Sequence, residues 1–407
     1  MKIWILNHYA TDMYFDKDGR HHAFAKYLIR LGHDVKIFCA NTVHNSNTII
    51  NVENNLYVEK IGADNVPYVF VKTRPYAGNG KDRILNMIDY YINIKPVLNR
   101  YKSKENLPDI ILASSVHPLT LIAGIKWAHK NKINCICEIR DLWPETFVEM
   151  GVIKKNNILT KLLYRGEKWI YKNADKLIFT MEGGIKYIED RKWNADINLL
   201  KVYYLNNGVD LEKFYKNKKE FYLEDDDLNS NYKKIVYTGS LRYANRLNDL
   251  IEVAKIFNDN KKDIKILIYG DGDYKEKLEN ECKGRELNNI IFKGKVDKKF
   301  IPYILSKGDI NVVTGVNTGI GKYGVSWNKL FEYIASEKPI IANFDMGEYN
   351  IIENNGIGIA KRFDSPEDFS HGIMELLNKK NKIKNNNMKN KYDYKNLSIE
   401  LLNIIEK

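Results

Sequence analysis

The sequence has little cysteine and no long apolar run. Four cysteines in 407 residues do not make a disulfide framework, and they point to a reducing compartment, the cytoplasm. Cys135 and Cys137 alternate in the apolar run "INCICEIRD", which puts both on one face of a strand, and no histidine lies close in sequence to complete a zinc site with them. No run approaches the ~18 apolar residues that a membrane-spanning helix needs. The start, "MKIWILNHYATDM", has too short an apolar run for a secretory signal and no small-residue cleavage site. The expectation is a soluble or peripheral protein of the cytoplasm, with attachment to the inner face of the cytoplasmic membrane left open.

What is present suits a large folded enzyme or binding protein. A chain of 407 residues with 44% hydrophobic and 12% aromatic residues is too long for one core, and two domains of roughly 200 residues are expected. The net charge of +12 is uneven: residues 1–205 hold 30 Lys and Arg against 21 Asp and Glu, the remainder 34 against 31. The stretch "NKKNKIKNNNMKNK" reads as solvated surface. Two segments, "KDRILNMIDYYINIKPVLNRYKSK" and "LTKLLYRGEKWIYKNADK", interleave basic and bulky apolar residues at helical spacing. Each is either an ordinary helix packed on a core or a basic face resting on an anionic membrane. Nucleic acid is not expected, because neither zinc-finger spacing nor an RNA-binding aromatic signature accompanies the charge.

Short apolar runs alternate with amphipathic stretches, the pattern of parallel sheets with crossover helices. The first half supplies "KIWILNH", "HDVKIFCA", "PDIILASS", "NCICEIRD", "ADKLIFTM" and "KVYYLNN"; the second supplies "KKIVYTGS", "IKILIYGDG", "NIIFKGK", "DINVVTG" and "KPIIANFD". Between them the polar, turn-prone stretch from Asn206 to Lys234 reads as the inter-domain connection. Ligands of open parallel sheets sit beyond the carboxyl ends of the strands. Two doubly wound domains facing one another would make a cleft lined by loops of both.

Gly319, Gly321 and Gly324 fit the dinucleotide pattern G-x-G-x-x-G, with Asp345 following the next strand. Against it, "GVNT" separates the preceding strand from Gly319, and the helix opens only after Gly324. Asp225–Asp227 falls in the connection, as a solvated tether. Asp271 and Asp273 read as turn former and helix N-cap rather than metal ligands. In "YTGSLRYANRLNDLIEV", Arg242 and Arg246 follow a strand ending at Gly239. They are either exposed helix-start arginines or planar forks suited to diphosphate oxygens. Lys329 stands at another helix start, where a glycine loop through Val325, Ser326 and Asn328 brings backbone N–H groups together. Two cations with such N–H groups would neutralise a diphosphate without metal, leaving Glu332, one turn on, for ribose hydroxyls. The N-terminal half places Gly19 and Arg20 at a helix start, His117 at a strand end, and Asp141 and Glu145 in the next such loop.

Taken in order, "MKIWILNHYA", "GRHHAFAKYLIRLGHDV", "SSVHP", "EIRDLWPE", "NNGVDLEKF", "YTGSLRYANRLNDLIEVAK", "YGDGDYKEKL", "FKGKV" and "YGVSWNKLFEYIASEKPII" resemble the family 4 glycosyltransferases of the GT-B fold. Bacterial enzymes of O-antigen and capsule polysaccharide synthesis, including the fucosamine-transferase-like group, are the nearest in pattern. The resemblance implies an α/β GT-B architecture of two Rossmann-like domains facing across a cleft. Residues 1–205 would form the acceptor-side domain, 206–391 the nucleotide-sugar domain, and 392–407 a helix crossing back to the first.

It further implies retaining transfer of a hexose or N-acetylhexosamine from a nucleotide-sugar, probably UDP-linked, to a lipid-linked saccharide, with no metal cofactor. Arg242, Arg246 and Lys329 would meet the diphosphate, Glu332 the ribose and Val296 the base. Gly19 and His117 would approach the diphosphate and the transferred sugar, with Arg20, Asp141 and Glu145 toward the acceptor. The sequence departs from the pattern where Gly324 replaces the first motif glutamate, where Ser240 replaces an arginine, and where a paired-glycine loop is reduced to Gly19. Three other readings stay open: an epimerase or phosphorylase of the same fold, an NAD-dependent dehydrogenase using the three loop glycines, and a non-catalytic sugar-nucleotide-binding protein.

Overall fold

Runs rich in Ile and Val form strands buried on both faces, as parallel sheets covered by helices require. The computed structural model describes residues 1–44, 46, 48–78, 80–115, 117–378 and 387–407. Most of the Asn/Lys-rich stretch expected to be solvated surface, residues 379–386, lies outside the described residues. The chain divides into two units, Met1–Asn206 with Tyr394–Lys407, and Asn207–Asp393.

The first unit is built on β1 (Lys2–Leu6), β2 (Asp34–Ala40), β3 (Tyr57–Ile61), β4 (Pro67–Val71), β5 (Ile110–Ser114), β6 (Asn134–Ile139), β7 (Lys176–Phe179) and β8 (Val202–Tyr204). They form one sheet in the order β3-β4-β2-β1-β5-β6-β7-β8. β1 is central, with Ile3 paired to Val35 on one side and Ile110 on the other. All neighbours are parallel except β3 and β4, two strands that the apolar runs do not announce. β3, "YVEKI", is a half-exposed edge carrying charge, and β4 opens on a proline, which a strand tolerates at its first residue.

Helices of this unit include α1 (Arg20–Arg30), α2 (Lys81–Glu105), α3 (Pro118–Lys130), α4 (Ile158–Asn173) and α5 (Gly184–Asp190). The C-terminal helix Tyr394–Glu406 also packs here. Tyr394, Leu397, Leu401 and Ile404 join Phe24 and Leu28 in one core, with the Phe24 and Tyr394 rings edge-on at 5.6 Å. Lys176 Nζ donates to the carbonyls of Ile404 and Ile405 at 2.7 and 2.9 Å, a cation placed at the negative end of a helix.

The second unit orders β9 (Lys233–Thr238), β10 (Ile264–Tyr269), β11 (Ile290–Gly294), β12 (Ile310–Thr314), β13 (Ile340–Asn343) and β14 (Gly358–Lys361) as β11-β10-β9-β12-β13-β14, all parallel. Its helices include α6 (Leu211–Glu220), α7 (Asn248–Asp259) and α8 (Asn328–Ser336). β14 was not expected. It is four residues long, and a Cβ on Gly358 would lie 1.8 Å from the Ile340 carbonyl oxygen, so glycine permits the pairing.

The stretch read as a solvated connection is instead packed, which corrects that expectation. Asp210 caps α6 by accepting the Lys213 N–H at 3.1 Å, and Phe214 enters the core. Asp225 and Asp227 clamp Lys293 of β11 at 2.7 and 2.6 Å, and the Tyr269 hydroxyl donates to Asp225 at 2.8 Å. Burial opposes ionisation of Asp227, but hydrogen bonds from Lys293, Tyr232 and Lys265 bring its carboxyl down to about 2. A depressed carboxyl stabilises the fold above its unfolded pKa and stops doing so as pH falls through the folded value. We expect Lys293→Met to destabilise the protein by about 2 kcal/mol at neutral pH. Urea unfolding in steps from pH 7 down to pH 2 should show that deficit shrinking below about pH 4; a pH-independent deficit would contradict the clamp.

Candidate functional site

In the second unit, side chains from β9 and α8 meet at the carboxyl end of the sheet. The Thr238 N–H donates to the Tyr333 hydroxyl at 2.9 Å, pinning α8 to the end of β9. This brings Lys329 over Tyr237: its Nζ lies 4.3 Å from the ring centroid and donates to the Tyr237 hydroxyl at 2.9 Å. That hydroxyl donates in turn to the Ser240 carbonyl at 2.9 Å. A Cβ on Gly239 would stand 2.8 Å from Lys329 Nζ, at a φ of +144°, so the turn must be glycine for the ammonium to lie there. Burial lowers Lys329 to about 8, with Glu332 one turn on pulling it back up. Tyr237 was not singled out from the sequence, where it reads only as one more apolar residue of a strand.

Around this cation the other candidates fall out differently. Arg242 is exposed and, among the described residues, makes no ion pair. Arg246 is exposed but tied to Asp249 at 2.9 Å. The Ser326 carbonyl accepts from Asn207 Nδ2 at 2.7 Å, while its buried Oγ has no partner among the described residues. Val325 is buried, Asn328 is exposed at the first position of α8, and Val296 packs half-buried against the core.

The loop glycines answer to local packing. Residues 315–327 separate the end of β12 from α8, too long a span for the tight strand–turn–helix of a dinucleotide fingerprint. A Cβ on Gly321 would lie 2.2 Å from the Asp345 carbonyl oxygen, and Gly324 has a φ of +87°, where a side chain is strained. The glutamate of the family pattern is thus missing at a position whose backbone favours glycine. The Asp271 carboxylate accepts the Gly272 N–H at 2.9 Å. Asp273 does not cap the next helix: the N-cap is Tyr274, with no side-chain cap. Among the described residues no cluster of three or more His, Cys, Asp or Glu could hold a metal.

In the first unit, loops at the carboxyl ends of β1, β5 and β6 carry Gly19, His117 and Asp141. Gly19 caps α1 at a φ of +109°, with Met13 2.9 Å from where its Cβ would be. His117 caps α3 and is buried, its Nε2 2.7 Å from Nδ1 of His8. His8 was overlooked because an isolated histidine after a strand carries no motif. Desolvation lowers both rings, that of His117 to about 3, and the buried Nδ1 of His117 has no partner among the described residues. Asp141 lines a cavity of about 20 Å³ with Ser115, Pro118, Trp143 and Glu167, room for one water. Burial pushes Glu167 up to about 8 against hydrogen bonds from Tyr171 and Tyr187, so it is largely protonated at neutral pH.

Two acceptor-side candidates are already paired within the first unit. Arg20 is 2% exposed. Its guanidinium meets Glu138 at 2.6 Å and the Leu205 carbonyl at 2.8 Å, and it also reaches the Asn206 carbonyl. Glu138 also binds His21 and Ser114. Glu145 is buried against Arg191 at 3.1 Å and the Tyr164 hydroxyl. Both side chains are engaged by partners within the first unit.

A half-buried ammonium whose pKa is lowered costs stability wherever it is protonated. That cost is fully present below the folded pKa and is relieved as pH rises from about 8 toward the unfolded value. Lys329→Met should therefore raise the urea midpoint of the unliganded protein at pH 6.5 and give a smaller gain at pH 9.5. A variant less stable than the parent at both would show that the ammonium is not desolvated.

Residues 21–213 match a family model described as Glycosyltransferase Family 4, and residues 218–394 one described as Glycosyl transferases group 1. An uncharacterized glycosyltransferase of Methanocaldococcus jannaschii, MJ1069, is 27% identical over 230 residues, covering 55% of this chain and 53% of that protein. The match thus spans about half the length of that relative. Among solved structures, sucrose-phosphate synthase from Thermosynechococcus elongatus superposes with a TM-score of 0.72 at 14% identity, covering 100% of this chain and 98% of the other. Anabaena HepE, solved with UDP and glucose, gives 0.66 at 13% identity, covering 100% and 99%. At these identities the structural likeness speaks for the fold. The chain carries a region matching the Family 4 glycosyltransferases followed by one matching the group 1 glycosyl transferases, on two Rossmann-like sheets of the GT-B type.

Proposed function

We propose that the protein transfers a hexose or N-acetylhexosamine from a UDP-sugar to a lipid-linked saccharide in bacterial surface polysaccharide synthesis, with retention of configuration and without a required metal. The observation that carries this reading is the Lys329 ammonium, held between the Tyr237 hydroxyl and the glycine turn at the end of β9. The UDP and glucose found in HepE, a protein of the same fold, support the choice of donor.

In this reading Lys329 and Arg242 bind the diphosphate, with the N–H groups that open α8. Glu332 takes the ribose, the stretch at Val296 the base, and the unpartnered Ser326 hydroxyl a donor oxygen. Arg246 contributes less, because Asp249 already neutralises it. No carboxylate here is assigned as a covalent nucleophile of the kind retaining glycosidases use. The acceptor hydroxyl therefore attacks on the face the diphosphate leaves, and the departing phosphate oxygen takes its proton. Charge on that oxygen is stabilised by fixed cations and dipoles. His117 is neutral and accepts or donates a hydrogen bond to the sugar, and Asp141 lies on the acceptor side.

Incubation with a panel of UDP-sugars and a bacterial lipid extract, in chelator, tests the reading. UDP release that needs the extract, yields product with the donor's anomeric configuration and is lost in Lys329→Met is expected. UDP binding with no turnover on any donor would favour a non-catalytic sugar-nucleotide-binding protein, the reading that Gly324 in place of the motif glutamate keeps in view. Loss of turnover on adding chelator would overturn metal independence.

A further inference from the structure

The α4 segment has its amphipathicity turned outward. The helix buries Thr160, Tyr164, Glu167 and Tyr171, while Ile158, Leu159 and Leu162 are 76, 57 and 53% exposed. Just ahead of it Met150 and Val152 are 49 and 66% exposed. Single exposed apolar residues are ordinary, but five within thirteen positions of one chain segment make a patch that calls for a partner.

The same segment is basic without compensation. Between Glu149 and Glu167 there is no acidic residue, and Lys154, Lys155, Lys161 and Arg165 are exposed. None of the four makes an ion pair among the described residues, whereas nearby Lys168 and Lys172 both share Asp196. Beside α4 lies α3, whose Lys126 sits over the exposed Trp169 ring. Beyond α3 lies α2, with Ile84, Ile88 and Ile92 exposed on one face at a spacing of four residues.

We propose that this face, centred on the first turns of α4, docks on an anionic lipid bilayer, with Ile158, Leu159 and Leu162 entering the acyl boundary and Lys154, Lys155, Lys161 and Arg165 at the lipid phosphates. Apolar side chains flanked by long cations suit that interface, because lysine and arginine lay their stems along the apolar zone and keep their charges at the headgroups. A second copy of this chain is the poorer partner. A two-fold contact would set the four cations against the same four cations. The inference deepens the lipid-acceptor half of the proposed function and rests on it only for its purpose; donor binding can stand or fall separately.

The test is co-sedimentation of the whole protein with vesicles of phosphatidylglycerol and phosphatidylcholine in equal parts, and with phosphatidylcholine alone. Binding to the anionic vesicles only is expected. Lys154→Glu with Lys155→Glu should weaken partitioning by on the order of tenfold or more, as should Leu159→Ser with Leu162→Ser, which leaves the charge unchanged. Both variants should keep the parent's circular dichroism and its affinity for UDP, so loss of vesicle binding is separable from unfolding or a failed donor site. Absence of binding to anionic vesicles, or binding indifferent to the Leu159 and Leu162 changes, overturns the proposal. So does a dimer of the parent in light scattering that either variant dissolves.

Discussion

The account turns on one constraint, a half-buried ammonium packed against an aromatic ring at the end of a parallel sheet. Lys329 reaches the end of β9 only because the Tyr333 hydroxyl accepts the Thr238 N–H, and it fits there only because position 239 has no side chain. The Tyr237 ring and hydroxyl supply partial compensation. A cation kept in such a place is a liability to the unliganded fold. In the proposed function an anion completes the arrangement, and the exposed Arg242 beside the same turn is its second cation.

Much of the sheet architecture could be read from the chain, because buried parallel strands are nearly continuous apolar runs. "KIWILNH" and "KKIVYTGS" are of this kind. Two of the strands that escaped, β3 and β14, have surroundings that differ. β3 carries Glu59 and Lys60 side by side on a half-exposed edge, and β14 is a four-residue pairing made possible by Gly358. The acidic run at Asp225–Asp227 reads as a tether because its partners, Lys265 and Lys293, lie 38 to 68 positions away.

The site residues show the same division. Positions fixed by a local turn, such as Gly19 and Gly324, carry their reason in the adjoining sequence. Arg20 and Glu145 look like loop residues free to meet a substrate until their partners are known. Those partners are Glu138, 118 positions on, and Arg191, 46 positions on. His8 and Tyr237 carry no motif, and only the fold places them beside His117 and Lys329. A linear pattern reports what a residue can do, and long-range packing decides whether it is already occupied.

The most direct measurement is calorimetric titration of the protein with UDP, GDP, ADP, dTDP and NAD in the absence of metal, repeated on Lys329→Ala and Glu332→Gln. The account predicts binding of one nucleoside diphosphate, UDP, weakened in both variants. Binding of NAD alone, or UDP affinity unchanged in either variant, would contradict the assignment of this turn and helix as a diphosphate site.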